Sequence, residues 1–400
     1  MRSDRDTAGD GRTWRLLYLH HLPLDSPGAN VIQVLQMCHA FSSLGYEVTL
    51  AVPRPKRCSD IDLCTIACEK LGLAIEFNIR GFRRIGFWGR PATIGCYLGL
   101  KRFLRKFGSV DLCYVRNPLF LRLVTSRNIP VVFESHDSCL HPSIPWLNTW
   151  YLRMVLRAMR SASFLHLVAI SEALAQRWRE MGALDNKIRV LHDGVAEHAY
   201  VLEKGREEAR KQLGLEVDCP LVVYTGSLGP DREIETILEL AKRMPDVEFL
   251  VVGGSHHEVE VFRSLVNSGK LENVTFTGRV PHWEVADYTF AADILLALWG
   301  PDVPTIDVCS PLKVFEYMAA GRVIVGYGFP TIREVLTDGH TAFLVSPGDL
   351  DALRRSVIEG LAMGYPNNMA TSARLLALSD YTWRKRAQRA LEQVQEGQLC

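Results

Sequence analysis

No run of apolar residues approaches the roughly 20 that a membrane-spanning helix needs. The nearest candidate, from Ser161 to Ala175, is interrupted by His166 and Glu172. Met1 to Gly11 is charged and lacks an apolar h-region, so it reads as a tail rather than a signal peptide. H-E-x-x-H is missing, and Cys58, Cys64 and Cys68 have no paired C-x-x-C partner, which disfavours a zinc site. The pairs His20-His21 and His256-His257 read as loop residues. Asp-x-Asp occurs at Asp4/Asp6 in the tail, at Asp60/Asp62, and at Asp349/Asp351, which reads as a helix cap, and no metal is expected at any of them. The ten cysteines are scattered, several in apolar segments (Cys38, Cys96, Cys113), which suits a reduced compartment. A cytoplasmic protein is the expectation.

Acidic residues are also unevenly missing. From Phe77 to Val110 there is none, while Arg80, Arg83, Arg84, Arg90, Lys101, Arg102, Arg105 and Lys106 are present. Residues 1–200 carry 26 Lys and Arg against 17 Asp and Glu, so the formal net charge of +1 hides a basic first half and an acidic second half. The basic stretch 80–106 reads either as a solvated face or as a surface for an anionic acceptor or membrane. Its aromatics Phe82, Phe87 and Trp88 read as core-facing or membrane-facing. Near-zero total charge and the lack of any binding motif argue against nucleic acid.

What is present is ordinary globular material: 400 residues, 48% hydrophobic and 23% charged, enough for two or three domains. Short aliphatic runs alternate with amphipathic segments of helical length. Trp14–His20 reads as a strand, Ala29–Leu44 as a helix stopped by Gly45, and Glu47–Val52 as the next strand. The pattern returns at 111–115, 131–134 and 166–170, the last followed by a helix capped by Ser171. It pauses at a turn, His192-Asp193-Gly194-Val195, and a charged helix over 201–213. It restarts at 221–225, 233–243 and 247–252, the last closed by Gly253-Gly254, and continues at 274–277, 293–298 and 323–326. This is α/β, two doubly wound parallel-sheet units, whose ligands lie beyond the carboxyl ends of the strands and in the cleft that two facing units leave.

One stretch carries chemistry: Ser310-Pro311-Leu312-Lys313-Val314-Phe315-Glu316-Tyr317-Met318-Ala319-Ala320-Gly321. Ser310 as N-cap, Pro311 at the first helical position and Gly321 past the end define a short helix. Its N-terminal N–H groups and Lys313 favour a phosphate. Glu316, three residues on, faces the same side and suits hydrogen bonds from a ribose diol, or else pairs with Lys313 on an exposed helix.

That stretch, followed by Arg322, Val-Ile-Val and Ile-Arg-Glu-Val-Leu-x-Asp-Gly, resembles the nucleotide-binding region of the family 4 glycosyltransferases, retaining enzymes of GT-B fold. Leu16 to Pro53, Val132-Phe-Glu-Ser-His136-Asp137, Val168-Ala-Ile-Ser171-Glu, Val190 to Val195, Val223 to Leu228 and Asp380-Tyr-Thr-Trp383 are similar to further family segments in order. The resemblance implies two Rossmann-like domains facing across a cleft. The first, 1–198, takes the acceptor, and the second, 199–380, takes the nucleotide sugar. A last helix over about 381–400 packs back on the first.

The resemblance also implies roles. Glu316 holds the ribose hydroxyls, His136 stands near the transferring sugar, and Gly28 and Ala29 belong to a loop approaching the donor diphosphate. Arg232 falls where a Lys commonly grips the diphosphate. Gly226, Ser227, Ser310, Leu312, Lys313 and Glu334 complete the donor-binding set. Departures are Ser227, where the family often has Arg, Val308, where it often has a second Glu, and Ala29, where a second Gly is usual. The implied activity is retaining, metal-independent transfer from a nucleoside-diphosphate sugar, most often UDP, to a glycan, lipid-linked or small-molecule acceptor, with no cofactor. A nucleotide-sugar epimerase or hydrolase, or a non-catalytic nucleotide-sugar-binding subunit, are the alternatives.

Overall fold

The computed structural model describes residues 13–26, 28–85, 92–137 and 145–396. The chain forms two compact units, one from the residues up to His192 with those from Trp383 on, the other from Asp193–Thr382. The first holds seven strands: β1 (Arg15–Leu19), β2 (Glu47–Pro53), β3 (Asn78–Phe82), β4 (Leu112–Val115), β5 (Val131–Ser135), β6 (Phe164–Ala169) and β7 (Ile188–Val190). All pair in parallel in the order β3-β2-β1-β4-β5-β6-β7. The second holds β8 (Leu221–Thr225), β9 (Glu248–Val252), β10 (Val274–Gly278), β11 (Ile294–Ala297), β12 (Val323–Tyr327) and β13 (Phe343–Val345), parallel in the order β10-β9-β8-β11-β12-β13. Both are doubly wound Rossmann-like sheets, and in each the strand order reverses beside the unit's first strand.

The sequence dictates these elements by burial on both faces. β4, β5, β8, β11 and β12 are buried at every position, as strands covered by helices on both sides must be. Helix Ala29–Ser43 follows β1, and the chain turns at Gly45, whose φ of +92° suits glycine. Ser171 caps helix Glu172–Glu180 by accepting the Leu174 N–H at 3.1 Å.

The last helix, Trp383–Glu396, packs against helix Ala29–Ser43 within the first unit. Its Arg386 donates to the His192 carbonyl at 2.9 Å and pairs with buried Glu134 at 2.7 Å.

Three local expectations are corrected. The charged segment 201–213 is not one helix. Glu197–Tyr200 and Arg206–Leu213 flank a break at Gly205, which has the extended backbone of an N-cap. Residues 192–195 form no turn. Val195 N–H bonds the Tyr381 carbonyl at 2.8 Å, and Val195 bridges Thr382 in parallel. Ser310 is not the cap of its helix, which runs Leu312–Ala320 with Pro311 at the N-cap. The Ser310 hydroxyl instead accepts the Asp193 N–H at 2.8 Å, tying the helix entrance to the start of the second unit.

Acidic pairs are used structurally. Asp62 closes a capping box with Ser59, and Asp60 accepts the Gly81 N–H and pairs with Arg54 and Arg80. Asp349 caps helix Leu350–Ala362. In the basic stretch, Phe82 is a core residue, and Arg83, Arg84, Arg102, Arg105 and Lys106 are exposed. Phe87, Trp88 and Arg90 lie outside the described residues, as do Asp4 and Asp6. Among the described residues no helix is long and apolar enough to cross a membrane.

Candidate functional site

The carboxyl end of β8 and the helix Leu312–Ala320 build one site in the second unit. Gly321, with φ +65°, ends that helix, as the C-terminal glycine predicts. The Tyr317 hydroxyl, on the same helix, accepts the Thr225 N–H at 2.8 Å and so fixes where β8 ends. The loop after it turns at Gly226, whose φ of +147° is a backbone conformation that residues with a side chain rarely adopt. A Cβ there would stand 3.1 Å from the Lys313 ammonium. Ser227 is exposed, and its carbonyl accepts the Tyr224 hydroxyl at 3.1 Å.

Lys313 is the focus. Its stem is partly exposed, but its ammonium nitrogen is buried and has no hydrogen-bond partner. It lies 3.9 Å from the centre of the Tyr224 ring and 4.8 Å from that of Trp299. Burial, then the guanidinium of Arg232, pushes its pKa well below the usual lysine value, and Glu316 only partly opposes this. A cation held by ring faces alone, with a second cation beside it, is arranged to receive an anion. Arg232 supplies that second charge from the short turn Pro230–Arg232.

Glu316 is 8% exposed, and its Oε1 accepts from His282 Nε2 at 2.8 Å. It therefore does not lie open on an exposed helix face. Leu312 begins the helix and is partly exposed. Val308 is buried, in keeping with a core residue at that position. Glu334 follows the short helix Pro330–Arg333, partly exposed. Lys313, Glu316, Gly226 and Arg232 are thus brought together, whereas Ser310 is engaged by the Asp193 backbone. Tyr224, Trp299 and His282 join the site without a signal in the sequence. Tyr224 and Trp299 look like core residues in the sequence, and no pattern in the sequence links His282 to Glu316.

In the first unit, Gly28 is the N-cap of helix Ala29–Ser43, and both Gly28 and Ala29 are exposed. His136 follows β5 and meets Glu134 Oε1 at 2.5 Å and Arg116 at 2.6 Å, both through Nε2. One nitrogen cannot donate to the first and accept from the second at once. Burial alone would raise the Glu134 pKa, but Arg386, His136 and Arg116 outweigh it and hold the carboxylate ionised. His136 is neutral, its pKa lowered to about 4 by burial and Arg116. Its Nε2 sits between the Glu134 carboxylate and the Arg116 guanidinium. The Tyr114 hydroxyl also donates to Glu134, at 2.5 Å. Glu134-x-His136 and Tyr114-x-Arg116 carry a period-2 signal in the sequence, whereas Arg386 carries none.

Comparison with known proteins agrees with this architecture. Residues 31–198 match the model described as Glycosyltransferase Family 4, and 219–363 match the one described as Glycosyl transferases group 1. The 2-deoxystreptamine glucosyltransferase of Streptomyces kanamyceticus is 24% identical, over 82% of this chain and 88% of that protein. The phosphatidyl-myo-inositol mannosyltransferase of Mycobacterium tuberculosis is also 24% identical, over 90% of each. Among solved structures, Anabaena HepE in complex with UDP and glucose superposes with a TM-score of 0.69 at 16% identity, covering 95% of this chain and 98% of that one. Sucrose-phosphate synthase of Thermosynechococcus elongatus gives 0.74 at 17% identity, covering 96% and 99%. With two consecutive family domains on two Rossmann-like sheets, the chain belongs to the family 4 glycosyltransferases, of GT-B fold.

Proposed function

We propose that this chain is a retaining glycosyltransferase that moves a sugar from a nucleoside-diphosphate donor, most often UDP in such proteins, to an acceptor hydroxyl. The observation that carries the donor reading is the buried, unpartnered ammonium of Lys313 beside Gly226, one helical turn from Glu316. The diphosphate supplies the anion that Lys313 and Arg232 lack, and the ribose diol donates to Glu316. The relatives named for glucosyl and mannosyl transfer, and the HepE complex with UDP and glucose, support the same class of donor.

In the reaction, the bond between the anomeric carbon and the β-phosphate oxygen breaks, and its electron pair goes to that oxygen. The acceptor hydroxyl oxygen bonds to the anomeric carbon from the face just vacated, and its proton passes to the departing phosphate. No protein nucleophile is required. Charge grows on the phosphate, and Lys313, Arg232 and the N–H groups at the start of helix Leu312–Ala320 stabilise it. These cations take the part that a metal plays elsewhere, so the proposed reaction is metal-independent and uses no cofactor. His136 is assigned to the sugar ring by resemblance.

The acceptor is a glycan, a glycolipid or a small hydroxylated metabolite. The exposed Arg83, Arg84, Arg102, Arg105 and Lys106 favour peripheral contact with anionic membrane from a cytoplasmic location. A panel of UDP-, GDP- and dTDP-sugars scored by thermal shift identifies the donor, and the product's anomeric coupling constant reads retention. Inversion would overturn the mechanism. Sugar conversion without acceptor would favour an epimerase or hydrolase.

A further inference from the structure

We propose that Trp299 is a positioning residue for both cations of the second unit's site. The face of its ring places the Lys313 ammonium, and the N–H of the next residue places the turn that carries Arg232. β11 is a run of buried aliphatic residues, and the chain keeps the alternation of a strand past its end. Leu295, Ala297 and Trp299 pack into the cluster that holds Val314, Phe315 and Tyr317 of helix Leu312–Ala320. Leu296 and Leu298 pack into a separate cluster. Trp299 is thereby fixed, 4% exposed, beside the helix that bears Lys313.

Two contacts make the placement. The Lys313 ammonium lies 4.8 Å from the centre of the Trp299 ring and 3.9 Å from that of Tyr224. Both are within the roughly 6 Å over which a ring face attracts a cation. Tyr224 is itself buried, and its hydroxyl donates to the Ser227 carbonyl at 3.1 Å, which locks the second ring to the loop after β8. Beyond Trp299, the Gly300 N–H donates to the Asp231 carbonyl at 2.9 Å, one residue before Arg232. A Cβ on Gly300 would stand 3.2 Å from Glu233 Oε1 and 3.4 Å from the Asp231 carbonyl oxygen, so this corner and the turn pack closely. The end of β11 therefore reaches both cations, Lys313 through a ring and Arg232 through the backbone.

A ring face does here what a carboxylate would not. An acidic partner would neutralise Lys313 and take up its N–H donors. Held on rings, the ammonium is buried without a hydrogen-bond partner, so all its donors stay available for an oxyanion. Fixing the long lysine stem before a ligand arrives also lowers the ordering cost of binding. The charged groups acting on Lys313 are Arg232 and Glu316. Burial and then Arg232 hold its pKa well below the lysine value, and Glu316 opposes them in part. Attraction to a ring face is strongest for such a desolvated cation. Naming the oxyanion as a donor diphosphate rests on the proposed function, whereas the placement of the two cations does not.

The test uses the full chain with Trp299 replaced in two ways. A tetrafluorinated tryptophan keeps the shape of the ring and drains its face of electron density, and Trp299→Phe keeps a ring face. The fluorinated residue carries the test if the Phe variant does not fold. The first readout, without ligand, is the titration of the Lys313 13Cε signal by NMR. A weaker ring face disfavours the ammonium, so the midpoint is expected about 0.5–1 pH unit below wild type with the fluorinated residue. In Trp299→Phe it should stay near wild type. The second readout is calorimetry at neutral pH with UDP and, separately, with inorganic pyrophosphate. The fluorinated protein should bind both about threefold or more weakly. Equal midpoints and affinities in the wild type and the fluorinated protein would overturn the proposal. Tighter binding by the fluorinated protein would mean that the rings park the ammonium away from the anion, and would overturn it as well. Pyrophosphate binding that behaves as expected, without binding of UDP, GDP or dTDP, would count against the proposed donor and leave Trp299 in its role. Nucleotide binding indifferent to the fluorinated ring would do the reverse. No binding of pyrophosphate or of any nucleotide would overturn both.

Discussion

Nε2 of His282 stands 2.8 Å from Oε1 of Glu316, so the carboxylate assigned to the nucleotide's ribose is already oriented before any nucleotide arrives. The contact joins the short turn His282–Glu284 to the helix that carries Lys313. Pre-orientation of this kind lowers the ordering cost of binding. His282→Ala should weaken nucleotide binding by about three- to tenfold, the worth of roughly one net hydrogen bond. His282→Gln should recover most of it. Titration calorimetry with UDP checks both, and an unchanged affinity in the Ala variant would remove His282 from the site.

Lys313 should be a residue that binding needs and the fold does not. Its folded pKa is depressed, so the fold disfavours its protonated form wherever the unfolded chain would hold the proton, below about pH 10.4. Lys313→Met should therefore raise the melting temperature while weakening nucleotide binding at least tenfold. In the wild type, an arriving diphosphate raises the same pKa, so binding should take up protons and weaken as pH rises. Calorimetry in buffers of different ionisation enthalpy reads the proton count. A Lys313→Met variant that melts lower would contradict this account of the ammonium.

Gly226→Ala combines two costs. The residue sits at φ +147°, and the new Cβ would come within 3.1 Å of the Lys313 ammonium. Strain of about 1–3 kcal/mol is expected at such a backbone position. Nucleotide affinity should fall with it, because Lys313 must move. Chemical denaturation and UDP titration on the same sample check the pair of effects.

Arg386 and Glu134 form a buried ion pair at 2.7 Å that ties the last helix to the first unit. Arg386→Met leaves Glu134 short of one cation and should cost about 3–5 kcal/mol at neutral pH. The depressed Glu134 pKa fixes the sign with pH. Its contribution is present above the unfolded carboxyl value of about 4.3, and is lost as pH falls through the lower folded value. Urea denaturation at several pH values should show the gap between wild type and Arg386→Met narrowing in acid. A gap independent of pH would contradict the assignment.

Much of the fold is legible because alternating buried strands and amphipathic helices leave a period that sterics and hydrophobic burial enforce. β8 is found residue for residue, and Gly45 and Gly321 mark helix ends through their backbone freedom. The helix entrance at Ser310 is misread because a serine before a proline suits a cap, while a backbone N–H over a hundred residues away claims its hydroxyl. Lys313 and Glu316 are legible from charge near a helix start. Tyr224, Trp299 and His282 are not, since each reaches the site through tertiary packing that no local spacing encodes. His20 reads as a loop residue from its neighbours, and only the fold shows it to be buried and unpartnered.

The donor assignment is tested most directly by calorimetric titration of UDP, GDP and dTDP into the wild type, Glu316→Ala and Lys313→Met. Saturable binding of at least one nucleotide by the wild type is expected, with at least a tenfold loss in each variant, about 1.4 kcal/mol or more. Equal affinity in all three proteins would contradict it.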